Sequence, residues 1–345
     1  MTVSTPDPAT PESPNGDAAA DGSWRDYLRL ARLDHMTKQI FILPGIVLAW
    51  MLRGAPEAGV WAAILLGVVA AVAVASANYV INEWLDRAFD AHHPEKSQRA
   101  AVQKRLDPRL VYGLYAALLV LGLGLAAAVN LTVLVLAALL AVAGIAYNVQ
   151  PLRAKDRAYV DVLAESLNNP LRLMLGWAMI DPATLPPVSL LLAFWFGGAF
   201  LMNAKRLAEY RFIAGEWGTE VLARYRRSFA VYTEARLSVA NLVYALLAGF
   251  AAAVFLVKYR IEFVLLFPLM TALFAEYYRL ALLTGSPARA PEKLFTARRL
   301  MLLTLATAVV FAVTAVVDIP VLGMLAEQHF IGIGDSTGGG VVVVD

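Results

Sequence analysis

Residues 78–99 read NYVINEWLDRAFDAHHPEKSQR and follow directly on an apolar run, 60–77. Asn82, Asp86 and Asp90 recur at four-residue spacing, which on a helix sets all three on one face, with Glu83 just beside it. Carboxylates at the end of a lipid-buried helix are costly unless they meet positive charge. His92, His93, Lys96 and Arg99 follow at once, so acids and bases lie side by side. A metal-bound diphosphate suits that mixture better than a bare cation. Mg²⁺ takes oxygen ligands, keeps waters, and commonly bridges one or two carboxylates to a phosphate. The competing reading is a solvated loop with ordinary charges, which the tight spacing and the start inside an apolar run oppose. For His92 and His93, structural roles around Pro94 are the simpler reading.

Composition sets the class. The 345 residues are 59% hydrophobic and 16% charged, with a mean hydropathy of +0.62. A soluble domain carries nearer a quarter charged residues, so the expectation is an all-α polytopic membrane protein. The chain has no cysteine, which excludes disulfides, thiolate metal sites and cysteine nucleophiles. Nothing in it suggests a nucleic-acid partner.

Outward from the opening stretch, residues 1–22 hold no Lys or Arg and read as a disordered tail rather than a signal peptide. Residues 24–39 read as an interfacial amphipathic helix. Nine apolar segments follow at 38–53, 59–83, 110–129, 131–149, 158–180, 187–208, 236–257, 261–283 and 299–321. Pro44, Pro170 and Pro268 fall inside them and predict kinks or breaks. Together they predict one transmembrane domain over 23–325, with a Gly/Val-rich tail at 326–345. Of 29 Lys and Arg, 24 fall in the N-terminal approach and in the loops near 84–109, 150–157, 205–236 and 284–299. The positive-inside rule then gives an N-in, C-out topology with nine spans, in a plasma (inner) membrane, and a polar site on the cytoplasmic face.

Three further clusters stand out. Residues 147–172 carry Arg153, Lys155 and Arg157, which fit phosphate contacts or plain membrane anchors equally. The same stretch holds Asp161, Glu165, Asn168 and Arg172 inside an otherwise apolar span, where ionisable groups are functional by default. Asp161 and Arg172 are eleven residues apart, three turns on one face, and fit a site or a structural ion pair. The next cluster is Asn203, Lys205, Arg206, Glu209 and Tyr210, at the end of the sixth segment. The last gathers Arg224, Arg226, Arg227 and Tyr232 with Arg279, Arg289, Lys293, Arg298 and Arg299, mostly anchors or contacts with anionic headgroups.

The pattern Asn82-Glu83…Asp86…Asp90, then His93-Pro94…Lys96…Arg99, resembles the first aspartate-rich motif of the UbiA superfamily of intramembrane prenyltransferases. The resemblance covers roughly residues 25–320. Prenyltransferases of that superfamily carry a second D-x-x-x-D motif at the end of the sixth span. Here that place reads Lys205-Arg206-Leu207-Ala208-Glu209. This is similar to the K-R-x-x-E of the decaprenyl-phosphate phosphoribosyltransferase branch, which begins arabinan precursor synthesis for the cell wall. Asp161 with Arg172, Arg226-Arg227-Ser228 before Tyr232-Thr233, and Gly285 before Pro291-Glu292 are also similar to it. Glu83 departs from the usual Asp, and Arg99-Ala100 from the usual Arg-Pro.

The resemblance implies Mg²⁺ held by Asn82, Glu83, Asp86 and Asp90. It implies transfer of 5-phosphoribose from phosphoribosyl pyrophosphate to a polyprenyl phosphate, with inversion at the anomeric centre. Asp86, Asp90, Asp161, Lys205 and Arg206 are the implied catalytic residues. Lys38, Lys96, Arg99, Lys155, Arg172, Glu209 and Tyr210 join Asn82 and Glu83 as implied substrate contacts. The basic pair makes physical sense, because a donor and an acceptor that both carry phosphate call for more Lys and Arg and fewer carboxylates. Two alternatives stay open: prenyl transfer to an aromatic or other hydrophobic acceptor, and a transporter or lipid-binding protein lined by Asp161 and Arg172.

Overall fold

In the computed structural model, residues 21–54, 59–283, 285–289 and 291–326 are described. The expected tails at 1–20 and 327–345 lie outside the described residues, as do the side chains of Lys38, Pro291, Glu292 and Lys293. The start of the chain differs at its boundary. Asp21 and Gly22 pair with Arg105, the Gly22 amide donating to the Arg105 carbonyl at 2.9 Å.

The described chain is helical: α1 Trp24–Leu30, α2 Ile42–Arg53, α3 Val60–Asp90, α4 Ala100–Gln103, α5 Pro108–Val129, α6 Leu131–Asn148, α7 Val160–Ser166, α8 Asn168–Ala178, α9 Val188–Trp217, α10 Thr219–Tyr225, α11 Glu234–Tyr259, α12 Leu266–Ala281, α13 Arg298–Val316 and α14 Pro320–Ala326. Local sequence sets several starts. Asp107 caps α5, accepting from the Arg109 amide at 2.8 Å, with Pro108 at the first helical position. Asn130 ends α5 and caps α6, accepting from the Val133 amide at 2.8 Å, so one residue turns the hairpin.

The nine expected spans are not all borne out. Among the described residues, seven helical segments are long and apolar enough to cross a bilayer: Val60–Asp90, Pro108–Val129, Leu131–Asn148, Val188–Trp217, Glu234–Tyr259, Ile261–Ala281 and Arg298–Val316. The expected first span is a 3₁₀ stretch, Leu33–Phe41, leading into the twelve-residue α2. The 3₁₀ stretch also replaces the second half of the expected interfacial helix. The expected fifth span is the pair α7 and α8, broken at Leu167.

The three prolines share one explanation. Pro44, Pro170 and Pro268 each occupy the third position of a helix, where the missing N–H would lack an intrahelical partner anyway. The ring opposes α-helix in the preceding turn, and there the chain is 3₁₀ or broken. The prolines therefore start helices rather than kink them.

Two packed groups make the bundle. α2, α3, α5, α6 and α8 close over Ile42, Ala70, Val74, Ala137, Leu140 and Leu175. α7, α9, α11, α12 and α13 close over Phe200, Ala204, Tyr244, Tyr277 and Leu280. Leu48, Leu173, Trp177, Leu190, Phe255 and Phe263 join the groups. The α2–α8 crossing is close because both helices present glycine. A Cβ on Gly45 would stand 2.0 Å from the Leu173 carbonyl oxygen, and one on Gly176 would stand 2.1 Å from that of Ile42. Val120, Leu246, Phe250 and Leu302 point outward and exposed, as a surface facing hydrocarbon requires.

Candidate active site

Among the described residues, Asp86, Asp90, Lys96, Arg99, Arg153, Lys155, Asp161, Arg206, Glu209 and Arg226 gather at one end of the bundle, whereas Arg172 lies apart from them. α3 runs on to Asp90, past the expected end at 83, so Asp86 and Asp90 both stand on helix. They line a cavity of about 30 Å³ with Phe89, Arg153, Lys155, Asp156, Tyr225 and Arg226. Asp86 Oδ1 meets Lys155 Nζ at 2.6 Å and Arg153 Nη2 at 2.9 Å. Asp90 Oδ2 accepts from Arg99 Nη1 at 2.8 Å.

Asn82 and Glu83 do not line this cavity. Glu83 accepts from Arg32 at 2.8 Å and has Arg99 Nε at 3.6 Å. The Asn82 amide donates to Asn148 Oδ1 at 2.5 Å, and Lys155 Nζ donates to the same oxygen at 2.8 Å. Asn148 in turn donates to the Gly144 carbonyl at 2.8 Å, so α3 and α6 together fix the ammonium of Lys155. Burial pushes Lys155 down to about 8, with Asp86 opposing the shift.

The Lys205-Arg206 pair lies on α9, and its two members differ. Arg206 is 3% exposed and reaches three carboxylates: Glu165 at 2.8 Å, Asp161 at 3.3 Å and Glu209 at 3.4 Å. Lys205 is half-buried beside it. Asp161 is fully buried, accepting from Tyr232 Oη at 2.5 Å and Ser228 Oγ at 3.2 Å, with Arg226 Nε at 3.9 Å. Arg226 also donates to the Tyr147 hydroxyl and to the Lys155 carbonyl. The segment after α10 thus folds back over α7.

Glu209 accepts from Lys96 Nζ at 3.1 Å and meets His93 Nε2 at 3.3 Å. His93 Nδ1 accepts the backbone amides of Glu95 and Lys96, both at 3.1 Å. The imidazole proton therefore sits on Nε2, facing Glu209. Burial lowers the His93 pKa and favours this neutral form. Lys96 also touches the Tyr225 hydroxyl, and burial lowers its pKa too. His93 thus ties the loop after α3 to α9, as the structural reading expected, whereas His92 is exposed. Tyr210 packs against Phe229 rather than facing the cavity.

Of the two readings of Asp161 and Arg172, the structural ion pair is not formed. Leu167 between them keeps right-handed helical dihedrals, but eleven residues of helix span about 16 Å, too far for the two side chains to meet. Arg172, 7% exposed, donates from Nε to Gln39 Oε1 at 3.0 Å instead. Asn168 donates to the Glu165 carbonyl at 3.0 Å. Phe89, Asp156 and Tyr225 line the cavity without having been singled out. Asp156 had a signal, three residues beyond Arg153, whose Nε it binds at 3.0 Å.

The fold and site define a helical protein of several membrane spans, with interleaved carboxylates and cations at one end of the bundle. The UbiA prenyltransferase family model matches residues 40–305, and the chain belongs to that family. A 4-hydroxybenzoate octaprenyltransferase of Chromohalobacter salexigens is 32% identical over 121 residues, 34% of this chain and 40% of that protein. A UbiA homologue from Archaeoglobus fulgidus bound to DMAPP and Mg²⁺ superposes with a TM-score of 0.64 at 22% identity, covering 85% of this chain and 100% of its own. The same homologue with GPP and Mg²⁺ gives 0.62 at 22% identity, over 84% and 100%. A structure of digeranylgeranylglyceryl phosphate synthase gives 0.58 at 16% identity, over 85% and 98%. These likenesses to solved structures establish the fold.

Proposed function

We propose that this member of the family is a Mg²⁺-dependent transferase that moves 5-phosphoribose from phosphoribosyl pyrophosphate to a polyprenyl phosphate and releases diphosphate. One observation carries the reading. Arg206, where a second acidic pair would serve ordinary prenyl transfer, is buried among Asp161, Glu165 and Glu209. The cavity beside it adds Arg153, Lys155 and Arg226 around Asp86 and Asp90. This site is built for more phosphate than one diphosphate brings.

The donor set fits Mg²⁺ of one kind. Among the described residues no group of three or more His, Cys, Asp or Glu converges. Asp86 and Asp90 stand one turn apart on the same cavity, the one or two carboxylates Mg²⁺ takes when phosphate and water complete its shell. We assign these two as ligands, with Asn82 and Glu83 holding the surrounding cations in place. Bound there, Mg²⁺ supplies charge neutralisation to the diphosphate.

The chain's own residues do the rest. Arg153 and Lys155 reach the cavity from the loop after α6, and Lys96 and Arg99, from the loop after α3, stand just behind its walls on Tyr225 and Asp90. Arg153 and Lys155 bind the departing diphosphate as the C1–O bond breaks. Lys205 serves the 5-phosphate. Behind the cavity Arg206 holds Asp161, Glu165 and Glu209 together; Asp161 in turn orients Arg226, and Glu209 orients Lys96, so that both cations face the donor. The acceptor is already an anion, so no strong base is required, and neutral His93 turned towards Glu209 is consistent with that.

The clustering of Lys and Arg supports N-in, C-out topology and an active site on the cytoplasmic face of the plasma membrane. α2 with its 3₁₀ approach and the α7–α8 pair complete nine passes around one catalytic domain, 23–325. The second reading, prenyl transfer to an aromatic acceptor, is favoured by the partial match to the 4-hydroxybenzoate octaprenyltransferase.

The test uses full-length protein in detergent with labelled polyprenyl phosphate, phosphoribosyl pyrophosphate and Mg²⁺, the lipids being separated by thin-layer chromatography. A more polar lipid that needs both donor and Mg²⁺, and that disappears in Asp86→Asn and Asp90→Asn, is expected. No such lipid, but consumption of a prenyl diphosphate with 4-hydroxybenzoate, returns the chain to prenyl transfer.

A further inference from the structure

Arg172 stands apart from every network at the cavity. It is the single cation of α7 and α8, and it is more than nine-tenths buried. Its one hydrogen bond among the described residues runs from Nε to the neutral Gln39 amide oxygen. Among the described residues neither terminal nitrogen has an acceptor. Tyr79 and Glu165 are the groups whose field reaches it. Glu165 itself is bonded by Arg206 and Tyr147. One turn before Arg172, Asn168 Oδ1 is buried with no partner among the described residues. A guanidinium this buried costs several kcal/mol unless an anion or a set of good acceptors meets it. One amide oxygen does not supply that.

Depth says which anion. α8 runs from the polar end towards Ala178, whose carbonyl accepts from Asn130 at the far turn between α5 and α6, so Arg172, within α8, sits deeper in the bundle than the cavity of Asp86 and Asp90. A water-soluble donor enters from the polar end and stops at Asp86 and Asp90. An amphiphilic acceptor enters from the hydrocarbon, and its charged head arrives from the deeper side. We propose that Arg172, oriented by Gln39, is the receptor for the anionic head group of the acceptor. The inference rests on the transferase reading above. The head is the phosphate of a polyprenyl phosphate, and an aromatic carboxylate offers the same two-oxygen edge to the guanidinium fork.

Binding tests it without turnover. Labelled polyprenyl phosphate, uncharged polyprenol and 4-hydroxybenzoate are titrated against the full-length wild type, Arg172→Gln, Arg172→Lys and Gln39→Glu in one detergent. Gln39→Glu leaves the cation in place and occupies it with an internal carboxylate, so it tests the site even if Arg172→Gln fails to fold. The expected result is at least tenfold preference of the wild type for the phosphate over the polyprenol. That preference is lost in Arg172→Gln and Gln39→Glu and partly kept in Arg172→Lys. In turnover, the KM for polyprenyl phosphate rises at least tenfold in both neutralising variants while the KM for phosphoribosyl pyrophosphate holds within twofold. If 4-hydroxybenzoate binding alone depends on Arg172, the receptor stands and the phosphoribosyl reading falls. If neither anion is affected, or donor and acceptor KM rise together, the receptor assignment is overturned.

Discussion

Arg206→Met removes the charge shared by buried Asp161 and Glu209 and half-buried Glu165, while keeping most of the side-chain length. The contacts are unequal. The Glu165 bond at 2.8 Å is a charge-assisted hydrogen bond of ordinary length, whereas Asp161 at 3.3 Å and Glu209 at 3.4 Å lie at the outer edge of the range. Asp161 retains Tyr232 and Ser228, and Glu209 retains Lys96 and His93, so most of the loss falls on Glu165. Removing one partner of a fully buried ion pair costs roughly 3–5 kcal/mol; because half-buried Glu165 can be rehydrated, a loss of about 2–3 kcal/mol is expected for Arg206→Met. Arg206→Lys falls between, because one ammonium cannot span three carboxylates as the guanidinium fork does. Adding Glu165→Gln to Arg206→Met takes away the stranded charge and should recover about 1–3 kcal/mol of the loss. The assay is reversible unfolding in mixed micelles by SDS titration, followed by far-UV circular dichroism. Arg206→Met within about 1 kcal/mol of the wild type, or no recovery in the double variant, would refute the view that Arg206 holds the buried acids together.

Two further outcomes follow from the geometry. Lys155, lowered to about 8 by burial against the pull of Asp86, loses its proton as pH rises through that value. kcat/KM for the phosphorylated donor should therefore fall above about pH 8, and Lys155→Arg, charged throughout, should abolish that limb in a pH–rate profile. The linked effect on stability has the opposite sign. Between about 8 and the ordinary lysine value of 10.5 the unfolded chain binds more protons, so wild-type stability rises with pH across that window. At the α2–α8 crossing, Gly176→Leu drives a side chain into the Ile42 carbonyl, 2.1 Å from the new Cβ. A loss of at least about 2 kcal/mol in the same SDS titration is expected, since neither backbone can yield locally.

The sequence by itself determined the membrane class, the helical architecture and the end of the bundle where the chemistry gathers. Those readings rest on short-range rules. Hydropathy is summed over a window, and Asp86 and Asp90 share a face because both lie on one unbroken helix, α3. The Lys205-Arg206 pair was visible as a pair, but its division of labour was not. Arg206 takes three carboxylates from α7 and α9 because α9 turns that residue inward, and no local pattern says so. Periodicity gave a shared face but no partners. Eleven residues of helix keep Asp161 and Arg172 about 16 Å apart, and the partners of the two residues are supplied from elsewhere. Ser228 and Tyr232 reach Asp161 across 67 and 71 residues, and Gln39 reaches Arg172 across 133. Tyr225 joined the cavity in the same way, through the return of the α10 segment over the loop after α3. Which charges are paired, which acid is fully buried, and which guanidinium is left facing inward were decided by tertiary structure alone. Desolvation and hydrogen-bond geometry act between atoms that meet in space, whatever their separation along the chain.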